Sequence, residues 1–323
     1  MPLPQPQKKV LPAFARKPGS ANLWKVILAG AVVVLAVFVA YQNSSSGPFI
    51  FDDEESIPKN PSIRQLDTAL SPPSGIGITV SGRPVLNASF ALNYAISGSN
   101  VVGFHLGNVL IHILAALTLL AVVRWALLSA VFNGKFSTHA TALAGFISIL
   151  WAVHPLQTES VTYTVQRAES LVGLFYLLTI YGFIRYAAGG RWSWCLLSGS
   201  ACLLGMGTKE VMATAPFVVF LYDRTFVSGS FRTAWSRHGR LHLCLAGTLV
   251  LLGVLVIAER GRGGSIGVNE TVTWWGYICT QPVAIVRYRS ALRFQQPLWR
   301  SSTSHRLVSL AFGFSPSSRP VRA

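Results

Sequence analysis

The chain has 323 residues, of which 51% are hydrophobic and only 12% charged, about half the charged share of an ordinary soluble domain. That balance excludes a wholly soluble globular protein. The 27 Lys and Arg against 11 Asp and Glu leave a net charge of +16, which in a soluble chain would suggest nucleic acid. Here long apolar runs explain the composition first, and the expected partner is a lipid bilayer with no nucleic acid.

In chain order, residues 1–23 carry Pro, Lys and Arg without an acid and are expected to be a disordered basic tail. The apolar run Trp24–Tyr41 reads as an uncleaved anchor, because a cut after Ala40 would leave bulky Phe38 where a small residue is required. Further apolar runs cover 101–128, 139–153, 170–188, 192–207, 211–222 and 241–258, for about seven crossings in all. The segments 192–207 and 211–222, separated by Lys209-Glu210, are either two crossings or one broken helix. The fold class is therefore an all-α polytopic membrane helix bundle.

With the N-terminus cytoplasmic, Arg124, Lys135, Arg185, Arg191, Arg224, Arg232, Arg237 and Arg240 fall on the tail's side, as the positive-inside rule demands. Of the 11 acids only Asp223 joins them, so the opposite face collects the carboxylates. The first outer loop, 42–100, is long and rich in turn residues, and its part Val85–Ile96 is apolar enough for a helix at the interface. The triplets at Asn43, Asn87 and Asn269 fit a glycosylation sequon and lie outside in this topology, but such triplets are common by chance.

Four polar groups stand out against this apolar background. Asp52-Asp53-Glu54-Glu55 follows the first span, where a low dielectric would raise a carboxylate pKa and suit a general base; a solvated acidic turn is the plainer alternative. In the second span His105, Asn108 and His112 share one side, which favours interhelical hydrogen bonds over ligand binding. From His154-Pro155 onwards a helix is expected to run into the next span, with Glu159, Thr162, Tyr163, Gln166 and Glu169 on one face. Val161, Val165, Ala168 and Val172 occupy the other. Finally, Lys209-Glu210 lies near membrane depth, and both Lys209 and Arg83 suit either a phosphate or ordinary headgroup contact.

Cys195, Cys202, Cys244 and Cys279 form no CxxC pair and read as small apolar filler. The sequence offers no evidence for a metal site and identifies no cofactor; two histidines without a third ligand nearby make a poor one.

Phe51-Asp52-Asp53, Gly82-Arg83-Pro84-Val85 through Asn93-Tyr94, and Phe104-His105-Leu106-Gly107-Asn108 to His112 occur in that order. His154-Pro155-Leu156-Gln157-Thr158-Glu159, Gln166-Arg167-Ala168-Glu169 and Lys209-Glu210 follow them. This series, over roughly residues 46–288, resembles the transmembrane and tetratricopeptide-repeat protein O-mannosyltransferases and their bacterial relatives. The resemblance implies a GT-C glycosyltransferase fold over 24–288, a sugar donor carried on polyprenyl phosphate, and a hydroxyl acceptor, with protein Ser or Thr the suggested one. It implies Asp53 or Asp52 as general base, with Asp53 preferred. Arg83, Arg167 and Lys209 would hold the lipid phosphate, and His154, Gln157, Glu159, Gln166, Glu169 and Glu210 would orient sugar or acceptor.

Residues 289–323 hold six Arg, eight Ser and no acid. The resemblance stops there, and the repeats expected of the family do not follow, so this tail is read as out of frame or truncated, or else as a disordered basic tail. Two other functions stay open at this stage: a membrane anchor for a repeat scaffold that has lost chemistry, and a transporter. The resemblance favours a bacterial inner membrane, with the endoplasmic reticulum as the alternative.

Overall fold

A computed structural model describes residues 23–75, 78–258 and 274–293. The basic tail over 1–22, the triplet at Asn269 and most of the 289–323 tail lie outside the described residues. Among the described residues the elements are helical throughout. They are α1 (Leu23–Tyr41), α2 (Asp52–Ser56), α3 (Pro84–Ser97), α4 (Val101–Leu127), α5 (Ala140–Ala152) and α6 (Thr158–Thr162). Then come α7 (Arg167–Ala187), α8 (Ser193–Met206), α9 (Ala215–Tyr222), α10 (Phe231–Ala258) and α11 (Trp274–Arg293). Contacts divide the chain into a unit ending at Ile266 and a second beginning at Gly267. Within the second, α11 is a helix with Pro282 inside it.

Among the described residues four stretches are long and apolar enough to cross a membrane: Leu23–Ser46, Val101–Leu127, Thr164–Ala187 and Phe231–Ala258. A fifth arises if Ala140–Ala152 and Pro155–Thr162, bent by 56°, form one span. The remaining apolar runs of the expected seven are shorter helices. The seven apolar runs all become helix: α5 and α8 are roughly 20 and 21 Å long at 1.5 Å per residue, against about 30 Å of hydrocarbon, and α9 continues without a gap from a 3-10 turn at 210–214 into a π-helical turn at 223–228. The runs 192–207 and 211–222 form two short helices separated by a break.

The bundle is inverted relative to a soluble protein. Helix α1 buries only Val33, Val37 and Tyr41, while Leu28, Leu35, Phe38 and Val39 are more than half exposed. Leu106, Leu110, Phe146, Leu150, Val250 and Val254 likewise point outwards, whereas His105, Asn108, His112 and Arg167 are buried. Apolar side chains facing out and polar groups facing in suit a lipid solvent, where polar atoms must find partners within the protein. The chain is a multi-pass membrane protein.

Local signals explain where the elements begin. Pro84 opens α3 with its φ already set for a helix, and Gly98 closes it in the left-handed region at φ 59°. Asn100 caps α4 by accepting the Val102 amide at 3.0 Å. The predicted interfacial helix is thus α3. With α2 and residues 61–63 it packs around Ile57, Ile63, Leu86, Phe90 and Phe104, so this part of the segment between α1 and α4 is a packed cap on the bundle. Asn87 is completely buried there and donates to Ser62 Oγ and the Ala69 carbonyl at 2.9 and 2.8 Å, so its sequon is inaccessible.

Helices α7 and α8 pack at close range because α7 carries glycine at the contact: a Cβ on Gly182 would lie 2.8 Å from the Ser198 amide and 2.9 Å from the Trp194 carbonyl oxygen. Backbone cannot yield as a flexible side chain does. Gly182→Ala is therefore expected to cost about 1–3 kcal/mol, read as a lower Tm of the detergent-solubilised protein. Gly173→Ala on the same helix meets nothing within 4 Å and should leave Tm unchanged or slightly higher.

Candidate functional site

The stripe on α4 is a clamp. His105 Nε2 meets the Gly47 carbonyl at 3.0 Å, Asn108 Nδ2 donates to the carbonyls of Val161 and Thr164 at 3.3 and 3.2 Å, and His112 Nε2 meets the Ala152 carbonyl at 2.9 Å. The hydrogen bonds expected of these residues are present, and they tie α4 to the 42–100 loop, to the end of α5 and to the segment from α6 to α7.

The continuous helix expected from Pro155 through the following span is not formed. It breaks at Tyr163, which is extended at φ −85° and ψ 114°, between α6 and a short 3-10 turn at 164–166. The predicted inner face survives the break, with Val161, Val165, Ala168 and Val172 all buried. The break changes the polar side. It aims the Tyr163 phenol and the Val165 amide at the acidic loop: the Asp52 amide donates to Tyr163 Oη at 3.0 Å, and the Val165 amide donates to Asp53 Oδ1 at 2.7 Å.

Asp52 and Asp53 occupy different environments. Asp53 is 1% exposed, and its second oxygen, Oδ2, accepts the Ile50 amide at 3.1 Å. Burial pushes its pKa up, against the pull of those two backbone bonds and of His105, while Asp52 adds a further push upward. Asp52 is exposed, and Thr79 Oγ1 lies 3.5 Å from its Oδ2. Phe51, just before the pair, sits at φ 47°, a strained conformation for a side chain with a Cβ that costs roughly 1–3 kcal/mol.

Thr79 leads from the acidic loop to the cations. Its carbonyl accepts from Arg83 Nη1 at 2.6 Å, and Arg83 Nη2 donates to Glu210 Oε1 at 3.2 Å. Lys209 pairs with Glu169. The start of α3 is drawn to this corner by a bond from the Val85 amide to the Gly207 carbonyl at 3.1 Å. A Cβ on Gly207 would lie 2.6 Å from Val85 Cγ2, so the approach requires glycine. Asp52, Asp53, Arg83, Glu169, Lys209 and Glu210 therefore gather at one end of the bundle.

The other expected residues divide. Arg167 is 1% exposed, with Nε on Asn108 Oδ1 at 2.6 Å and Nη2 on Asn93 Oδ1 and the Phe104 carbonyl at 2.8 Å each. Nη1 reaches the Ser89 carbonyl at 3.1 Å. The guanidinium also lies 4.6 Å from the Phe90 ring centre. Four hydrogen bonds engage it inside the protein. His154 is exposed and caps its own turn, Nδ1 accepting the Leu156 amide at 3.2 Å. Gln157, Glu159 and Gln166 make no side-chain hydrogen bond among the described residues, and Glu159 is exposed. Thr79 and the Val165 amide were not anticipated, since nothing local in the sequence marks them.

The fold and site define an all-α, multi-pass membrane protein with a loop-borne carboxylate pair beside two ion pairs. The fruit-fly (Drosophila melanogaster) protein O-mannosyl-transferase Tmtc1 is 31% identical over 222 residues, 66% of this chain and 25% of its own length. Human protein O-mannosyl-transferase TMTC4 is 31% identical over 247 residues (69% and 31%), and human TMTC2 is 30% identical over 245 (68% and 27%). The chain belongs to the family of these protein O-mannosyl-transferases, and its match spans about a quarter to a third of their length. No family model and no solved structure matches it.

A carboxyl whose pKa is raised in the fold binds its proton more tightly there than in the unfolded chain. Its contribution to stability is full below the ordinary Asp range near pH 4 and is lost as pH rises through the folded value. Wild-type Tm should therefore fall relative to Asp53→Asn as pH is raised from about 4. Equal slopes in the two proteins would remove the assignment.

Proposed function

We propose that the chain is a membrane glycosyltransferase that moves a sugar from a polyprenyl phosphate to a hydroxyl of protein Ser or Thr, with mannose as the sugar and protein as the acceptor taken from the relatives' names. The reaction lies on the face opposite the basic tail, with the N-terminus cytoplasmic. The observation that carries this reading is the division between the paired carboxylates: Asp53 has both oxygens engaged by backbone amides, and Asp52 beside it is exposed.

In this mechanism Asp52 is the general base, in place of the Asp53 favoured from sequence. The acceptor oxygen attacks the anomeric carbon, its proton passes to the Asp52 carboxylate, and the bond from that carbon to the phosphate oxygen breaks, with inversion. Asp53 is a positioning residue that ties the acidic turn to Val165. Lys209, one quarter exposed, is the accessible cation; donor binding would exchange its Glu169 partner for phosphate, where a compact charge stabilises the leaving group. Arg83, paired with Glu210 and bonded to the Thr79 carbonyl, keeps that corner in register with Asp52. Gln157, Glu159 and Gln166 orient hydroxyls from the polar side, with His154 at its start.

Membranes containing the chain, supplied with labelled polyprenyl-phosphate mannose and a Ser/Thr peptide, test the reading. Asp52→Asn should lower transfer by about 100-fold or more, whereas Asp53→Asn should lower it less and also lower Tm. Lys209→Gln should raise the donor KM more than it lowers kcat. Full transfer by Asp52→Asn would exclude it as the base, and partner capture or solute flux unaffected by that change would favour the scaffold or transporter instead.

A further inference from the structure

A second cluster lies at the other end of α7. His238 and His242 are four residues apart on α10 and so share one face. Asp223 ends the apolar helix α9, and a turn at 223–228 closed by Gly229 at φ 76° leads back into α10. Asp223 Oδ2 accepts from His238 Nδ1 at 2.9 Å and from His242 Nε2 at 2.9 Å, and its Oδ1 accepts from Ser228 Oγ at 2.7 Å. Asp223 and His242 are 0% and 5% exposed.

The imidazoles are held by more than the carboxylate. The Phe183 ring packs against both at 5.5 and 5.6 Å, Phe220 stands edge-on to His242 at 4.9 Å, and Tyr186 lies 6.1 Å from His238. A cavity of about 500 Å³ opens at His238, lined also by Tyr186, Trp235, Arg237 and Arg240, so one ligand of the three is reachable from outside. From Arg167 to Phe183 along α7 is roughly 24 Å at 1.5 Å per residue. None of the groups proposed for sugar transfer is here.

We propose that Asp223, His238 and His242 form a binding site for one zinc-class divalent ion. Their three ligand atoms lie within 4.8 Å of one another. Two imidazoles with one carboxylate form a donor set for zinc and its transition-metal neighbours, whereas magnesium and calcium take oxygen. Two histidines one turn apart on a helix present both nitrogens to a single point. Bonds of about 2.0–2.1 Å in a tetrahedron set ligand atoms roughly 3.3 Å apart, so the 2.9 Å separations at Oδ2 would open by a few tenths of an ångström while the two ring nitrogens, up to 4.8 Å apart, swing together by up to about 1.5 Å. The two protons now shared with Oδ2 would move to the opposite ring nitrogens, leaving both imidazoles neutral and the ion at their former place. The ion would fasten α9 and its turn to α10, with the cavity at His238 as its entry path.

The full chain, purified in detergent and stripped with a chelator, is titrated with Co2+ and then Zn2+. The wild type is expected to take up one equivalent of Co2+ with the visible absorption of a tetrahedral site, to lose that signal to Zn2+, and to gain Tm on binding. His242→Gln and Asp223→Asn should lose the signal, while Cys244→Ser should keep it. Should the ligand variants fail to fold, X-ray absorption of the zinc-loaded wild type still decides, with nitrogen and oxygen expected at about 2.0–2.2 Å. Sub-stoichiometric uptake by the wild type, binding that survives His242→Gln, or a sulfur shell at about 2.3 Å would each overturn the site.

Discussion

The Arg167 guanidinium, buried where α3, α4 and α7 meet, organises the end of this bundle that carries the acidic pair. A buried cation is tolerable only when its donors are engaged, and here Asn93, Asn108 and the carbonyls of Ser89 and Phe104 engage them. Gly107 is part of the same arrangement, because a Cβ there would lie 2.8 Å from Arg167 Nη2. Asn108 accepts from Arg167 through its oxygen and donates through its nitrogen to the carbonyls of Val161 and Thr164. That fixes the broken segment whose Val165 amide holds Asp53. A chain of hydrogen bonds thus runs from the interior to the acidic pair.

The same dependence explains why the neighbouring carboxylates Asp52 and Asp53 have different surroundings. Asp53 spends its lone pairs on the backbone of two separate segments and so defines the shape of the turn. Asp52, one residue on the solvent side, inherits that shape without those bonds. At the far edge of the site Arg83 and Lys209 each have a carboxylate partner. The apolar exterior supplies the setting, since polar groups that face lipid cost more than polar groups that face one another.

The two ends of α7 differ in kind. At its start stand the carboxylates and their cations; near its end, Phe183 and Tyr186 pack the imidazoles of α10 against Asp223.

The sequence by itself determined the helices of α1, α4, α7 and α10, because the length of an apolar run is a local property and lipid leaves the backbone little alternative to a helix. It also determined a helix over Val85–Ile96, within α3, the inward stripe of His105, Asn108 and His112, and, through the ordered motifs, the family. Only the tertiary structure decided the break at Tyr163, the burial of Arg167, the burial of Asp53 beside an exposed Asp52, and the meeting of Asp223 with His238 and His242. Each of these rests on partners from different elements; the Val165 amide and Asp53 are 112 residues apart. Hydropathy and helical period describe a residue's own neighbourhood and carry no information about which distant amide will occupy a carboxylate's lone pair.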